Sequence, residues 1–366
     1  MEQPHPLESE IRRLIAATGP MPIAQYMKLC LTHPRHGYYM TRDPFGTTGD
    51  FTTAPEVSQM FGELIGLWTI GVWRLMGSPS DFRLVELGPG RGTMMRDALR
   101  AAKVLPEFRK ATTVHLIEIS PSLERVQEQT LSDSDTQIYW HAKLEEVPEG
   151  PLIILANEFL DALPVQQVVK QSDGWHQRVI DIDPAGNFAF GLAPDPVPHF
   201  ERILPPQVRN APVGAIYEWR ADNIMFEIGG RVMRFGGAAL IVDYGHAESA
   251  VGETLQSVGA HAFADPLSSP GLVDVTAHVD FQAAAQAAEN MGARAHGPIE
   301  QREFLRRLGI EARAAALKKV AQGQKVAEID AALARLTGDG RTGMGELFKA
   351  MAIADPKLGS LPGFDS

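Results

Sequence analysis

An acid, three alternate glycines and a second acid one strand later could together hold a ligand that carries a positive group and a sugar diol. The first two features lie in Arg83-Leu-Val-Glu-Leu-Gly-Pro-Gly-Arg-Gly-Thr-Met-Met95, where Gly88, Gly90 and Gly92 separate a strand-like run from a helix-like one. A Cβ-free turn adopts dihedrals closed to other residues and lets the backbone approach a ligand closely. The helix beyond it offers free N–H groups. The spacing selects among ligands. A dinucleotide fingerprint is Gly-x-Gly-x-x-Gly and seats a pyrophosphate; here the third glycine comes one residue early and Thr93 stands where the fingerprint wants glycine. Glu86, just before the turn, would repel a pyrophosphate but suits the ammonium of a methionine moiety. Glu118, closing the next strand-like run, can accept hydrogen bonds from both ribose hydroxyls. The set points to S-adenosyl-L-methionine held by Glu86, Gly88, Gly90, Gly92 and Glu118, and disfavours a nicotinamide-dependent dehydrogenase. For the adenine, the sequence offers His141 or the backbone around Ala142.

A second group follows the apolar run Leu152-Ile-Ile-Leu-Ala156: Asn157, Glu158 and Asp161. In doubly wound sheets ligands bind outside the carboxyl ends of the strands, so these residues fall beside the expected donor. Methyl transfer from a sulfonium is an in-line displacement that needs nucleophile and methyl group oriented within about 3–3.5 Å. An arginine acceptor stays charged up to a pKa above about 12 and presents a fork of N–H donors. Paired carboxylates such as Glu158 and Asp161 can grip that fork and leave one nitrogen to attack, with Asn157 shared between donor and acceptor. The same residues also read as a helix N-cap with a charged first turn. His33 and His36 have no further His or Cys at zinc spacing, so no metal site is expected. No Gly-x-Ser-x-Gly elbow or P-loop is present.

The elements that must position these groups alternate. Arg83–Leu87, Thr113–Ile119, Ile138–Trp140 and Leu152–Leu155 read as strands with helices between them, which predicts βαβ units around a parallel sheet. Ala215–Phe235 reads as a helix and Ala238–Asp243 as a further strand. Val279–Met291 reads as a helix, Ala293–His296 as a last strand, and 300–352 as mostly helical. The expected fold is an α/β doubly wound, Rossmann-like sheet with an N-terminal helical segment over 1–78. The core would span 79–299, with an insertion at about 165–212 and an irregular segment at about 246–275, and a helical segment over 300–366 would pack on it.

Composition narrows the partners. A net charge of −11 argues against a nucleic-acid-binding face, which needs clustered Lys and Arg. The one cysteine, Cys30, permits no intrachain disulfide, so a reducing compartment such as a bacterial-type cytoplasm is expected; a processed eukaryotic chain would place it in the mitochondrial matrix. No stretch of about 18 apolar residues exists, so no membrane insertion is expected. Oligomeric state is not legible.

Longer strings carry a resemblance. Cys30-Leu-Thr-His-Pro-Arg-His-Gly-Tyr-Tyr39, Gly49-Asp-Phe-Thr-Thr-Ala-Pro-Glu56, Phe61-Gly-Glu63, Glu86-Leu-Gly-Pro-Gly-Arg-Gly-Thr93, Asn157-Glu-Phe-Leu-Asp-Ala-Leu-Pro164, Val242-Asp-Tyr-Gly245, Asp274-Val-Thr-Ala-His-Val-Asp-Phe281 and Met344-Gly-Glu-Leu-Phe-Lys349 span most of the chain. With them it resembles the MidA-type methyltransferases, a family that includes a mitochondrial complex I assembly factor acting on an arginine of the quinone-site subunit. The resemblance implies a class I methyltransferase core, a protein substrate in complex I and a part in its assembly. It implies that Asp50, Thr53 and Glu56 cap the donor and that Tyr244, Asp274 and His278 border the target. A small-molecule methyltransferase and a non-catalytic donor-binding chaperone are the alternatives.

Overall fold

The computed structural model describes residues 5–41, 52–220, 223–259, 262–340 and 342–364. The chain divides into two compact units that interleave along the sequence: 45–160, 222–247 and 281–366 form one, and 1–44, 161–221 and 248–280 the other.

The first unit is built on a twisted sheet of β1 (Phe82–Leu87), β2 (Thr112–Ile117), β3 (Ile138–His141), β4 (Leu152–Asn157), β5 (Gly237–His246), β6 (Arg294–Glu300) and β7 (Phe348–Ala354). Their spatial order is β3-β2-β1-β4-β5-β7-β6. The pairs β1–β2, β2–β3, β1–β4 and β4–β5 are parallel, and β7 runs antiparallel between β5 and β6. The chain winds outward from β1 to β3 and then returns to β4 beside β1. That reversal leaves a crevice above the carboxyl ends of β1 and β4, where open α/β sheets bind ligands.

The inner strands β4, β5 and β7 are nearly continuous apolar runs because both faces are covered. Leu84, Leu116, Ile153, Leu155, Leu240 and Val242 share a core with Phe61, Leu64, Ile65 and Trp68 of α1 (Gln59–Leu75). Helix α1 lies close against α2 (Thr93–Ala101): a Cβ on Gly66 would stand 2.6 Å from the Ala98 carbonyl, so only glycine fits there. Helix α3 (Pro121–Thr130) is capped by Ser120, whose hydroxyl accepts from the Leu123 N–H. Helix α4 spans Asn223–Phe235 and α5 spans Phe281–Glu289.

Three expectations change. The segment at about 246–275 is not wholly irregular: Gln256–Gly259 pairs antiparallel with Ala262–Ala264 and with Asp274–Thr276. Residues 215–235 are not one helix: Ile216–Arg220 is a strand paired antiparallel with Val165–Gln171, and the helix starts at Asn223. Alternating Tyr217 and Trp219 favour a pleated, half-buried surface. The 300–352 stretch is helical over Gln301–Arg307, Ile310–Val320 and Gln324–Thr337, but its end enters β7. Phe348-Lys-Ala-Met-Ala-Ile-Ala354 has helix-favouring composition, and pairing between two waiting strands overrides it.

The second unit holds helices Pro6–Thr18 and Ile23–Thr32 and an antiparallel sheet in which Gly174–Ile182 pairs with Val165–Gln171 and Phe188–Pro196. Val168, Trp175, Phe200, Leu204, Val208 and Tyr217 form a core there. Among the described residues no helix is long and apolar enough to cross a membrane.

Candidate functional site

The turn after β1 and the loop after β4 meet at the predicted crevice. Gly88, Gly90 and Gly92 all have left-handed backbones, with φ of 61°, 55° and 78°. Gly92 serves as the N-cap of α2. A cavity above them is lined by Thr53, Glu56, Glu86, Gly88, Gly90, Asn157 and Glu158, together with Pro55, Pro89, Arg91, Thr93 and Met94.

Glu86 ends inside the sheet, 2% exposed, and burial pushes its carboxyl up to about 8. Its Oε2 is buried with no hydrogen-bond partner among the described residues, and the same holds for the Asn157 Oδ1. A buried acceptor without a donor is costly. Two such acceptors lining one cavity call for a ligand that brings N–H donors and positive charge. The methionine ammonium has both properties, so the residues present fit the donor.

Glu118 stands directly after β2. Its Oε1 accepts from the N–H groups of Ile119 (2.9 Å) and Ser120 (2.8 Å), and burial raises its pKa. Glu118, Gly92 and Ala142 are not among the residues lining the cavity. Glu118 is joined to it through Gln127, which donates to the Gly90 carbonyl and to the Glu118 carboxylate. The Ala142 N–H already donates to the Glu146 carboxylate at 2.9 Å.

Glu158 is a non-glycine residue at φ 50°, a conformation that costs roughly 1–2 kcal/mol and is retained where surrounding structure over-determines it. Its N–H donates to the Val242 carbonyl at 2.9 Å, and its Oε1 accepts from the Ala54 N–H and from the Asn157 side chain, each at 3.2 Å. The loop is also clamped by Asp243, which is fully buried on β5: Oδ2 accepts from the N–H groups of Phe159 (3.2 Å) and Leu160 (2.9 Å), and Oδ1 from that of Tyr244 (2.9 Å). Asp243→Ala would strand these donors. We expect it to lower stability by on the order of 3 kcal/mol, read by urea denaturation, and an unchanged midpoint would show that the clamp contributes nothing.

Thr53 stands at the N-cap position of the short helix Ala54–Val57 without a side-chain capping bond, and Glu56 turns onto the glycine turn, accepting from the Thr93 hydroxyl with Arg91 4.0 Å away. Asp50 lies outside the described residues. Tyr244 packs edge-on against Phe348, with ring centroids 5.5 Å apart. The remaining expected residues belong to the second unit. Asp161 is 5% exposed there, and its backbone carbonyl accepts from the Ala277 N–H. Asp274 accepts from the Tyr39 hydroxyl at 2.9 Å, and the His278 N–H donates to the Thr254 hydroxyl at 2.9 Å. Gln127 and the clamping role of Asp243 were not read from the sequence: neither a glutamine on a largely polar helix nor an aspartate at a strand end has a local signature. Among the described residues no group of three or more His, Cys, Asp or Glu could hold a metal ion.

Comparison with known proteins points to the same class of donor. Residues 64–299 match the family described as "Putative S-adenosyl-L-methionine-dependent methyltransferase". The chain is 38% identical to the Drosophila melanogaster mitochondrial protein arginine methyltransferase NDUFAF7 homolog, over 95% of this chain and 84% of that protein. It is likewise 38% identical to the Homo sapiens mitochondrial protein arginine methyltransferase NDUFAF7, over 84% of this chain and 75% of that one. A crystal structure of a Burkholderia thailandensis protein bound to S-adenosyl-homocysteine superposes with a TM-score of 0.85 at 29% identity, covering 100% of this chain and 97% of that chain.

Proposed function

This chain belongs to the S-adenosyl-L-methionine-dependent methyltransferase family, and from that premise we propose that it methylates an arginine side chain of a protein. The observation that carries the donor half is the pair of buried acceptors without a partner among the described residues, Glu86 Oε2 and Asn157 Oδ1, in the cavity of the glycine turn. The acceptor half rests on Glu158 beside them and on the activity for which the relatives are named.

When bound, the donor supplies a methyl group on a positively charged sulfur. Glu86 and Asn157 hold its ammonium, Gly88 and Gly90 let the backbone approach, and Glu118 receives the ribose hydroxyls. The Glu158 carboxylate, held by the Ala54 N–H and the Asn157 amide, accepts from an incoming guanidinium and fixes which nitrogen faces the methyl group. The quinone-site subunit of complex I, suggested by the family resemblance, is the acceptor to test first. The relatives' names say mitochondrial where composition suggests cytoplasm. The compartment we propose is the one that holds this subunit's soluble face, the matrix or the bacterial cytoplasm.

The test is incubation with methyl-labelled donor and that subunit, followed by peptide mass spectrometry. Label on an arginine is expected. Glu158→Gln should lower kcat by about 30-fold while donor affinity stays within about twofold, as for a group acting on the acceptor. Undiminished turnover in that variant would remove Glu158 from the reaction.

A further inference from the structure

The donor contacts proposed above sit on separate elements, and one side chain ties them together. Gln127, on α3, is completely buried. Its Nε2 donates to the Gly90 carbonyl at 2.8 Å and to Glu118 Oε2 at 2.9 Å. Its Oε1 accepts from the Trp140 indole N–H at 2.9 Å. Trp140 lies on β3 opposite Leu116 of β2. One amide thereby joins the glycine turn after β1, the acid after β2 and the edge strand β3.

The partners fix which way the amide points. An indole N–H can only donate and a backbone carbonyl can only accept, so the oxygen must face Trp140 and the nitrogen must face Gly90 and Glu118. The two N–H groups are both used. Glu118 Oε1 is engaged by Ile119 and Ser120, and Gln127 holds Oε2, so the carboxylate cannot rotate about its last torsion without losing bonds on both oxygens. Burial already works against the charged form of Glu118, and the amide N–H offsets part of that cost.

We propose that Gln127 is a positioning residue for the methyl donor: anchored on the Gly90 carbonyl, it sets the rotamer of Glu118 against the ribose hydroxyls. This rests on the reading of Glu118 as the ribose-binding acid. Gln127 acts through Glu118, so its removal should affect donors that carry the diol and spare those that do not. A glutamate at 127 matches glutamine in size but puts acceptors where two N–H groups are needed, beside a carboxylate and a carbonyl.

The experiment measures, by calorimetry on the full chain, the affinity for S-adenosyl-homocysteine and for its 2′,3′-dideoxy analogue in the wild type, Gln127→Met, Gln127→Glu and Glu118→Ala. Gln127→Met should weaken S-adenosyl-homocysteine by about tenfold and the dideoxy analogue by less than about twofold. Gln127→Glu should lose more than Gln127→Met on the first ligand, and combining Gln127→Met with Glu118→Ala should add nothing to Glu118→Ala alone. Each variant is judged by its ratio between two ligands, so a general loss of stability does not imitate the effect. A wild type that discriminates between the ligands, with variants that lose equally on both, would overturn the role of Gln127 alone. A wild type that binds both ligands equally would remove Glu118 from the ribose, and the proposal with it.

Discussion

Replacing Glu86 by glutamine is expected to strengthen the empty fold and weaken the donor at the same time. The carboxyl is 2% exposed, and burial pushes it from an ordinary 4.5 to about 8. Between those values the folded chain keeps a proton that the unfolded chain has released, so stability is complete below pH 4.5 and is lost as pH rises through about 8. At pH 7 the loss is on the order of 3 kcal/mol. Glutamine never ionises, so the stability gap between Glu86→Gln and wild type should open from near zero at pH 4.5 to that size at pH 7, read by urea denaturation without donor. Donor binding should show the opposite effect. An ammonium beside the carboxyl favours its charged form, so binding near pH 7 should release a proton, visible as a heat that depends on the buffer's ionisation enthalpy. The variant should release none and bind on the order of 100-fold more weakly, having lost a buried charge pair. Wild-type affinity in Glu86→Gln would show that the ammonium lies elsewhere.

The same residue shows why the proposed donor contacts were legible in the chain. Glu86, the alternate glycines and Glu118 are local: strand, turn and helix follow one another, and each residue's chemistry is apparent from its neighbours. Asn157 and Glu158 were legible for a related reason, because an apolar run ending in polar residues marks the carboxyl end of a buried strand. What could not be read depends on contacts between distant segments. Gln127 looks like any polar residue on a surface helix until β3 brings Trp140 to its oxygen. Phe348–Ala354 looks helical until β5 and β6 pair with it. The positive φ of Glu158 follows from the Asp243 clamp and the bond from its own N–H to Val242, and nothing in Asn-Glu-Phe-Leu-Asp foretells it. Glu158 and Asp161 stand three places apart in sequence, yet they fall in different compact units. Spacing alone therefore could not decide whether they form a pair.

Gly88→Val should abolish methyl transfer, and a matched glycine shows why this would be more than backbone strain. Gly88 and Gly77 both have left-handed backbones, with φ of 61° and 84°. A β-branched side chain at either position meets a conformational penalty of at least roughly 1–2 kcal/mol. Their surroundings differ. A Cβ on Gly77 has nothing within 4 Å, whereas one on Gly88 would stand 2.9 Å from Cδ2 of the Phe159 ring. Phe159 follows Glu158 and donates its N–H to Asp243, so moving the ring disturbs the loop that carries Asn157 and Glu158. The new side chain also fills the cavity that Gly88 lines. Single-turnover transfer in Gly88→Val should fall by about 1000-fold or more, a loss of roughly 4 kcal/mol of transition-state stabilisation. Gly77→Val should lose only the roughly 1–2 kcal/mol of stability set by the backbone penalty that the two sites share, and keep its rate within about threefold. Equal activity losses in the two variants would mean that strain alone disables the enzyme. Loss confined to Gly88→Val, with donor affinity lost alongside, would place the methyl donor against the glycine turn.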